Sequence, residues 1–202
     1  MPLQAAPPRY RIYTPIMGMD YQVLAINDNN QAIVNHYNND NNDNIITYLW
    51  TINGGLKDLG NLGLTITESL AINNLGQIVG YSFVDLSPYK VRHAFLWQNG
   101  HMQDLGSLSG GFQNEAISIN NLGKVLGRTI SETGSVAYFT WTQSGGIQSL
   151  DLQGGVACKI ADDGSIVVAE KQPCLAMAHS RCGDRPGNLA GPFRLLVHSF
   201  GY

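Results

Sequence analysis

Charge is scarce in this 202-residue chain: 12 Lys and Arg stand against 15 Asp and Glu, together 13% of residues, about half of the usual quarter. Long helices with charged solvent faces are disfavoured by that shortage. A net charge of −3 also leaves too few cations to build a nucleic-acid face, so no nucleic-acid partner is expected. No apolar run approaches the ~18 residues of a membrane helix, so no membrane span is expected. The start, Met1 to Pro8, has neither the basic nor the apolar segment of a secretory signal, and export would need a signal already removed or another route. Of 3 cysteines, all in the last quarter, an odd count leaves at least one unpaired unless chains cross-link. Buried or incidental free thiols are the plainer reading, and a Cys174–Cys182 bridge that leaves Cys158 over is the alternative. Gly-x-Ser-x-Gly, the phosphate-binding Gly-x-x-x-x-Gly-Lys loop, His-Glu-x-x-His and Cys-x-x-Cys are all missing.

What the chain has is turn chemistry and apolar strands. Hydrophobic residues reach 44%, which argues against disorder, and 23 Gly and 18 Asn point to a turn-rich all-β domain. The turns recur. Ala25-Ile26-Asn27 with Ile33-Val34 aligns with Ala71-Ile72-Asn73-Asn74-Leu75-Gly76-Gln77-Ile78-Val79-Gly80. A third copy reads Ser118-Ile119-Asn120-Asn121-Leu122-Gly123-Lys124-Val125-Leu126-Gly127, and a weaker fourth reads Lys159-Ile160-Ala161-Asp162-Asp163-Gly164-Ser165-Ile166-Val167-Val168. The asparagines are 46 and 47 residues apart, and Gly123 to Gly164 is 41, the period of a propeller blade or a similar β-repeat. Trp50, Trp97 and Trp141, spaced by 47 and 44, keep the same phase.

In the second copy, turn residues delimit four strands: Ser69 to Asn73, Gln77 to Val84, His93 to Trp97 and His101 to Leu105. The Asn73-Asn74-Leu75-Gly76 and Gln98-Asn99-Gly100 turns suit left-handed backbone. Each copy is therefore expected to be a four-stranded antiparallel meander. One such sheet cannot bury both faces alone, so neighbours must stack, with Ile72, Val79, Phe95, Leu96 and Trp97 as candidate core.

The expected architecture is all-β: four-stranded antiparallel meander repeats arranged as a small, about four-bladed, or partial β-propeller over residues 10–169. Its repeats span about 19–63, 64–111 and 112–155, with an incomplete one over 156–169. Residues 10–16 resemble an orphan fourth strand that would complete the last repeat and remove open edges. A closed ring would be a monomer; an open arc from a larger propeller would self-associate through its edges. Residues 170–202 break the pattern and read as a divergent C-terminal segment, with a candidate strand from Phe193 to Phe200.

The string His93-Ala94-Phe95-Leu96-Trp97-Gln98-Asn99-Gly100-His101-Met102-Gln103-Asp104-Leu105-Gly106-Ser107-Leu108-Ser109-Gly110-Gly111, with its Ala-Ile-Asn-Asn-x-Gly-x-Ile-Val-Gly partner, resembles the HAF-repeat family of probable extracellular repeats. The likeness covers about residues 10–169 and is tightest in the second copy. Ile46 to Trp50 and Ala137 to Trp141 lack the His, and Ser149-Leu150-Asp151 departs from Asp-Leu-Gly. The resemblance implies a β-propeller-like, extracellular or cell-surface scaffold, and it carries over no catalytic, cofactor or metal residues.

Four local features bear on chemistry. Asp40, Asn42 and Asn44 have the alternate spacing of a calcium loop but lack its Gly and final Glu, Thr51 standing there instead; a solvated hairpin tip is the plainer reading. His93 and His101 flank one hairpin and would bind metal only if they converged. The recurring tryptophans read as blade core rather than a sugar platform. Asp58 and Asp104, each before Leu-Gly, read as turn caps rather than acid–base groups. No catalytic, cofactor-binding or metal residue is therefore assigned. The expected function is a non-enzymatic repeat scaffold binding a protein or glycan through its loops. The alternatives are a propeller-type hydrolase acting on carbohydrate, or a truncated array with no activity of its own.

Overall fold

The structure, a computed structural model, describes residues 20–38, 44–86, 90–108, 111–152 and 155–169, with the backbone of 195–198. Every regular element among them is a strand. Strands β1 (Tyr21–Ile26), β2 (Gln31–Asn38), β3 (Asn44–Thr51) and β4 (Gly55–Asp58) make one antiparallel sheet in chain order. Then follow β5 (Thr67–Ile72), β6 (Ile78–Phe83), β7 (Arg92–Gln98) and β8 (His101–Asp104), and after them β9 (Gly111–Ile119), β10 (Val125–Ser131), β11 (Val136–Thr142) and β12 (Gly146–Leu150). A three-stranded sheet of β13 (Val156–Ile160), β14 (Ile166–Ala169) and β15 (Leu195–His198) ends the described chain.

The expectation of one separate four-stranded sheet per copy is corrected here. Strands β5 to β12 belong to a single eight-stranded sheet, because β7 and β9 meet in a parallel pair at Arg92 and Gln113. The cause is local: Arg92 donates to Gln113 Oε1 at 3.3 Å and pairs with Glu115, which draws the start of β9 alongside β7. Elsewhere, consecutive strands pair antiparallel. No sheet among the described residues closes on itself, and a ring of blades is not shown.

The two halves of that sheet nonetheless bury apolar faces against one another. Strand alternation explains how. On β7, Ala94 and Leu96 enter a core with Val125, Phe139 and Trp141 of the third copy, whereas Phe95 and Trp97 enter a second core with Ile33 and Leu49 of the first. A third core joins Leu126 and Tyr138 to Ala157, Ile160, Ile166 and Val168. Strands with two apolar faces are thus covered on both sides, and each fully buried Phe, Ile or Leu contributes roughly 1.5–3 kcal/mol. Val79, Phe95, Leu96 and Trp97 of the candidate core are buried; Ile72 is half-buried against the same layer.

Close approach requires glycine at the matching strand positions Gly80 and Gly127: a Cβ would sit 2.0 Å from the Glu68 carbonyl oxygen at the first and 2.2 Å from the Phe139 ring at the second. In the turns, Gly76 and Gly123 take φ of +74° and +79°, as the Asn-Asn-Leu-Gly spelling requires. The candidate C-terminal strand corresponds to β15, paired with β14. The proposed clasp, residues 10–16, lies outside the described residues.

Candidate functional site

The turns that open each copy stack into a hydrogen-bonded ladder. Asn73 Oδ1 accepts from the backbone N–H of Leu75 and Gln77, both at 3.0 Å, closing its own turn. Its Nδ2 donates at 2.6 Å to Gln77 Oε1 and at 2.9 Å to the Asn120 carbonyl of the next copy. Asn27 reaches the Asn73 carbonyl in the same way at 2.9 Å, and Asn120 reaches the Ala161 carbonyl at 3.0 Å. One residue later a second row repeats: the N–H of Asp28, Asn74 and Asn121 donates to Oδ1 of Asn74, Asn121 and Asp162 at 3.0, 2.8 and 2.7 Å. Asn27, Asn73 and Asn120 are buried, so these are donors and acceptors that water cannot replace, each unmade bond costing about 1–3 kcal/mol.

Beside the ladder lies an open cleft of about 480 Å³, lined by Asn29, Asn30, Gln31, Thr51, Ile52, Asn53 and Leu75. Two turns of the first copy and one tip of the second build it. Gln31 is held by Asn27 Nδ2 at 2.8 Å and Asn29 by its bond to the Asn74 carbonyl at 2.6 Å, so the wall formed by the Asn29–Gln31 turn is tied to the ladder. Amide donors and acceptors with two aliphatic side chains suit a neutral polar ligand or an extended backbone.

Away from the turns the junctions carry ionisable groups. Glu68 accepts from the hydroxyls of Tyr81 and, at 3.3 Å, Tyr37; Glu115 pairs with Arg92 and, at 2.5 Å, with Arg128 Nε. Arg92 also lies over the Tyr81 ring at 4.5 Å. Burial, then the Glu68 carboxylate, pushes the Tyr81 hydroxyl above its ordinary range, and burial does the same for Tyr37. Both glutamates are thus committed to neighbours. The sequence signal was available: Glu68 and Glu115 are 47 residues apart, one full period, and face Tyr81 and Arg128 in register.

The residues weighed from sequence distribute as follows. Asp58 and Asp104 each accept a glycine N–H two residues on, at 2.8 Å, the turn-capping geometry. Asp104 also holds His93 Nδ1 at 2.6 Å, a contact that sequence reasoning missed. His93 and His101 do not come together: His101 pairs with Gln98, five residues along β7 from His93 and on the opposite face. Trp97 and Trp141 are buried in successive cores, whereas Trp50 is half-buried. Asn44 is engaged by Thr65 Oγ1 at 2.9 Å, while Asp40 and Asn42 lie outside the described residues, as do Cys174 and Cys182. Cys158 is free and exposed. Among the described residues, no three His, Cys, Asp or Glu gather as metal ligands, and no helix is long and apolar enough to cross a membrane.

No family model and no curated protein matches the chain. Among solved structures, a triple arginine-to-alanine mutant of AofleA from Arthrobotrys oligospora is similar at a TM-score of 0.42 and 14% identity, covering 76% of this chain and 50% of that one. The chain therefore spans about half the length of that structure.

Proposed function

We propose that the chain is a non-enzymatic repeat scaffold of the HAF type, extracellular or surface-associated, which binds a protein or glycan through its loops. In this reading the repeated copies stack as a small or partial β-propeller. The observation that supports it most is the amide-lined cleft on the stacked turns: its Asn29–Gln31 wall is fixed by the ladder, so binding orders little on that side that is not already ordered. The glutamates at the junctions are engaged with Arg and Tyr partners, a structural use of carboxylates rather than a paired acid and base facing a cleft.

The test is a glycan array probed with the labelled full chain beside an Asn53→Ala, Leu75→Ala double variant. At least one glycan class is expected to be retained by the wild type and to bind the variant about tenfold more weakly, the loss of roughly one hydrogen bond and some apolar contact. A blank array removes the glycan half of the reading. Retention undiminished by the double variant moves the site off this cleft.

A further inference from the structure

Each copy shows a leading face to the copy before it and a trailing face to the copy after it, and the residues at these faces recur in phase. On the leading side, the residue before the turn Asn is Ile72 or Ile119, and Ile160 stands before Ala161 in the fourth copy; they are half-buried, 7% exposed and 2% exposed in turn. Its counterpart in the first copy, Ile26, is 64% exposed. Four residues before the turn Asn stand Ser69 and Ala116, with Ala157 four before Ala161; all three are buried, whereas Val23 is 53% exposed. Leu56, the counterpart of the packed Met102 and Ile147, is exposed too. Ala32 and Val34, flanked across the sheet by Ile26, Trp50, Val23 and Tyr48, are buried at the centre of this face.

The trailing side ends in the same way. Ile33, Val79 and Leu126 are fully buried by the copy that follows, but Val167, in the same phase, is only half-buried. The backbone row of the ladder is also directional: each of its N–H groups donates forward, from Asp28 to Asn74 to Asn121 to Asp162. At the far end the N–H of Asp162 is the next donor in that row. At the near end Asp28, which receives Asn74 Nδ2 on Oδ2 at 2.7 Å, offers its other carboxylate oxygen.

We propose that the chain associates head to tail with a second copy of itself, the trailing face around Val167 docking on the leading face around Ile26, Val23 and Leu56. The contact continues an interface the molecule already makes internally, which is why the occupant is another copy of this chain. It is heterologous, so it adds molecules in one direction. It is also weaker than the internal junctions, because Ala161 lacks the amide that Asn27, Asn73 and Asn120 send forward and because Asp28 meets Asp162.

The experiment is sedimentation equilibrium of the full chain between about 1 and about 300 μM, the range in which a small transient interface titrates. The weight-average mass is expected to rise above 22.0 kDa with concentration. Ile26→Glu and Val167→Glu, each with a thermal melt to confirm folding, should each stay at the chain mass alone. Mixed in equal amounts they should form a species of twice that mass and no larger, since one intact head meets one intact tail. A wild type fixed at 22.0 kDa, as intramolecular closure onto its own last copy would give, overturns the proposal. So does a variant that still associates alone, or a mixture that does not pair. Ala161→Asn, which should fold whatever the interface does, supplies the missing amide and should tighten association about fivefold, and an unchanged constant overturns the ladder's part in the contact.

Discussion

The junctions between copies are held by neutral amides at the turn end and by ionisable side chains farther along the sheets. At the turns, one bond pattern is made three times, from Asn27, Asn73 and Asn120, with distances of 2.9 to 3.0 Å. Along the sheets, the same repeat position is a Glu with two Tyr partners in the second copy and a Glu with two Arg partners in the third. The first device sets a uniform spacing and is indifferent to which copy is which. The second is not: Glu115 meets Arg92 from the copy before it and Arg128 of its own, where Glu68 meets Tyr37 and Tyr81 in the corresponding places.

The largest expected effect comes from breaking the ionic end. Glu115→Ala leaves Arg92, mostly buried, and Arg128, partly exposed, without their carboxylate, a loss of about 3 kcal/mol at the low end for a broken buried pair because Arg128 is partly solvated. Glu68→Ala removes an acceptor from two neutral hydroxyls and should cost about 1–2 kcal/mol. Urea denaturation of the two variants gives the ratio directly. Equal losses would mean that the two clamps do the same work and that the distinction between them is wrong.

Asn73→Ala breaks the other end. It removes four hydrogen bonds at once, two to its own turn and one each to Gln77 Oε1 and the Asn120 carbonyl, and should destabilise by about 2 kcal/mol, the range for stranding buried polar groups. Asn73→Asp keeps the two acceptor bonds but turns an oxygen on the Asn120 carbonyl, so it should be no better than Ala. An Asp variant as stable as wild type would show that the forward amide contributes nothing to the ladder.

The turns and the strand alternation were legible in the sequence because both are local: Asn-Asn-Leu-Gly spells its backbone, and Ala94-Phe95-Leu96-Trp97 reads as a strand apolar on both faces. Sequence also marked the inner tryptophans, although not that Trp50 would be half-buried where Trp97 and Trp141 are buried. What joined β7 to β9 was hidden. Arg92 stands outside the aligned motifs, and although Glu115 recurs in phase with Glu68, nothing in the sequence pairs either Glu115 or Gln113 with an arginine some 20 residues earlier. The forward reach of the asparagines was hidden for a related reason: a turn motif accounts for their Oδ1 and is silent on where Nδ2 points.

The last junction allows the finest separation of the two kinds of chemistry, because there an ionisable group sits within the amide ladder. Asp162 takes the place that Asn74 and Asn121 hold earlier, and the N–H of Asn121, then its side-chain amide, lower its carboxyl below the ordinary 3.8. A carboxylate with a folded value below its unfolded one stabilises the fold above the unfolded value and ceases to do so as pH falls through the folded one. Asp163, lowered by the Ser165 N–H, adds in the same sense. The melting midpoint of the wild type should therefore decline below about pH 4 more steeply than that of Asp162→Asn, whose one oxygen keeps the Asn121 N–H bond without a charge while the Asn121 Nδ2 bond is lost at every pH. Above about pH 5 the gap between the two should be constant, and it should narrow as the medium is acidified. Both groups are fully exposed, so the effect is the smallest of the set. A gap that stays unchanged down to about pH 3 would place Asp162 outside the ladder and end the row at Asn121.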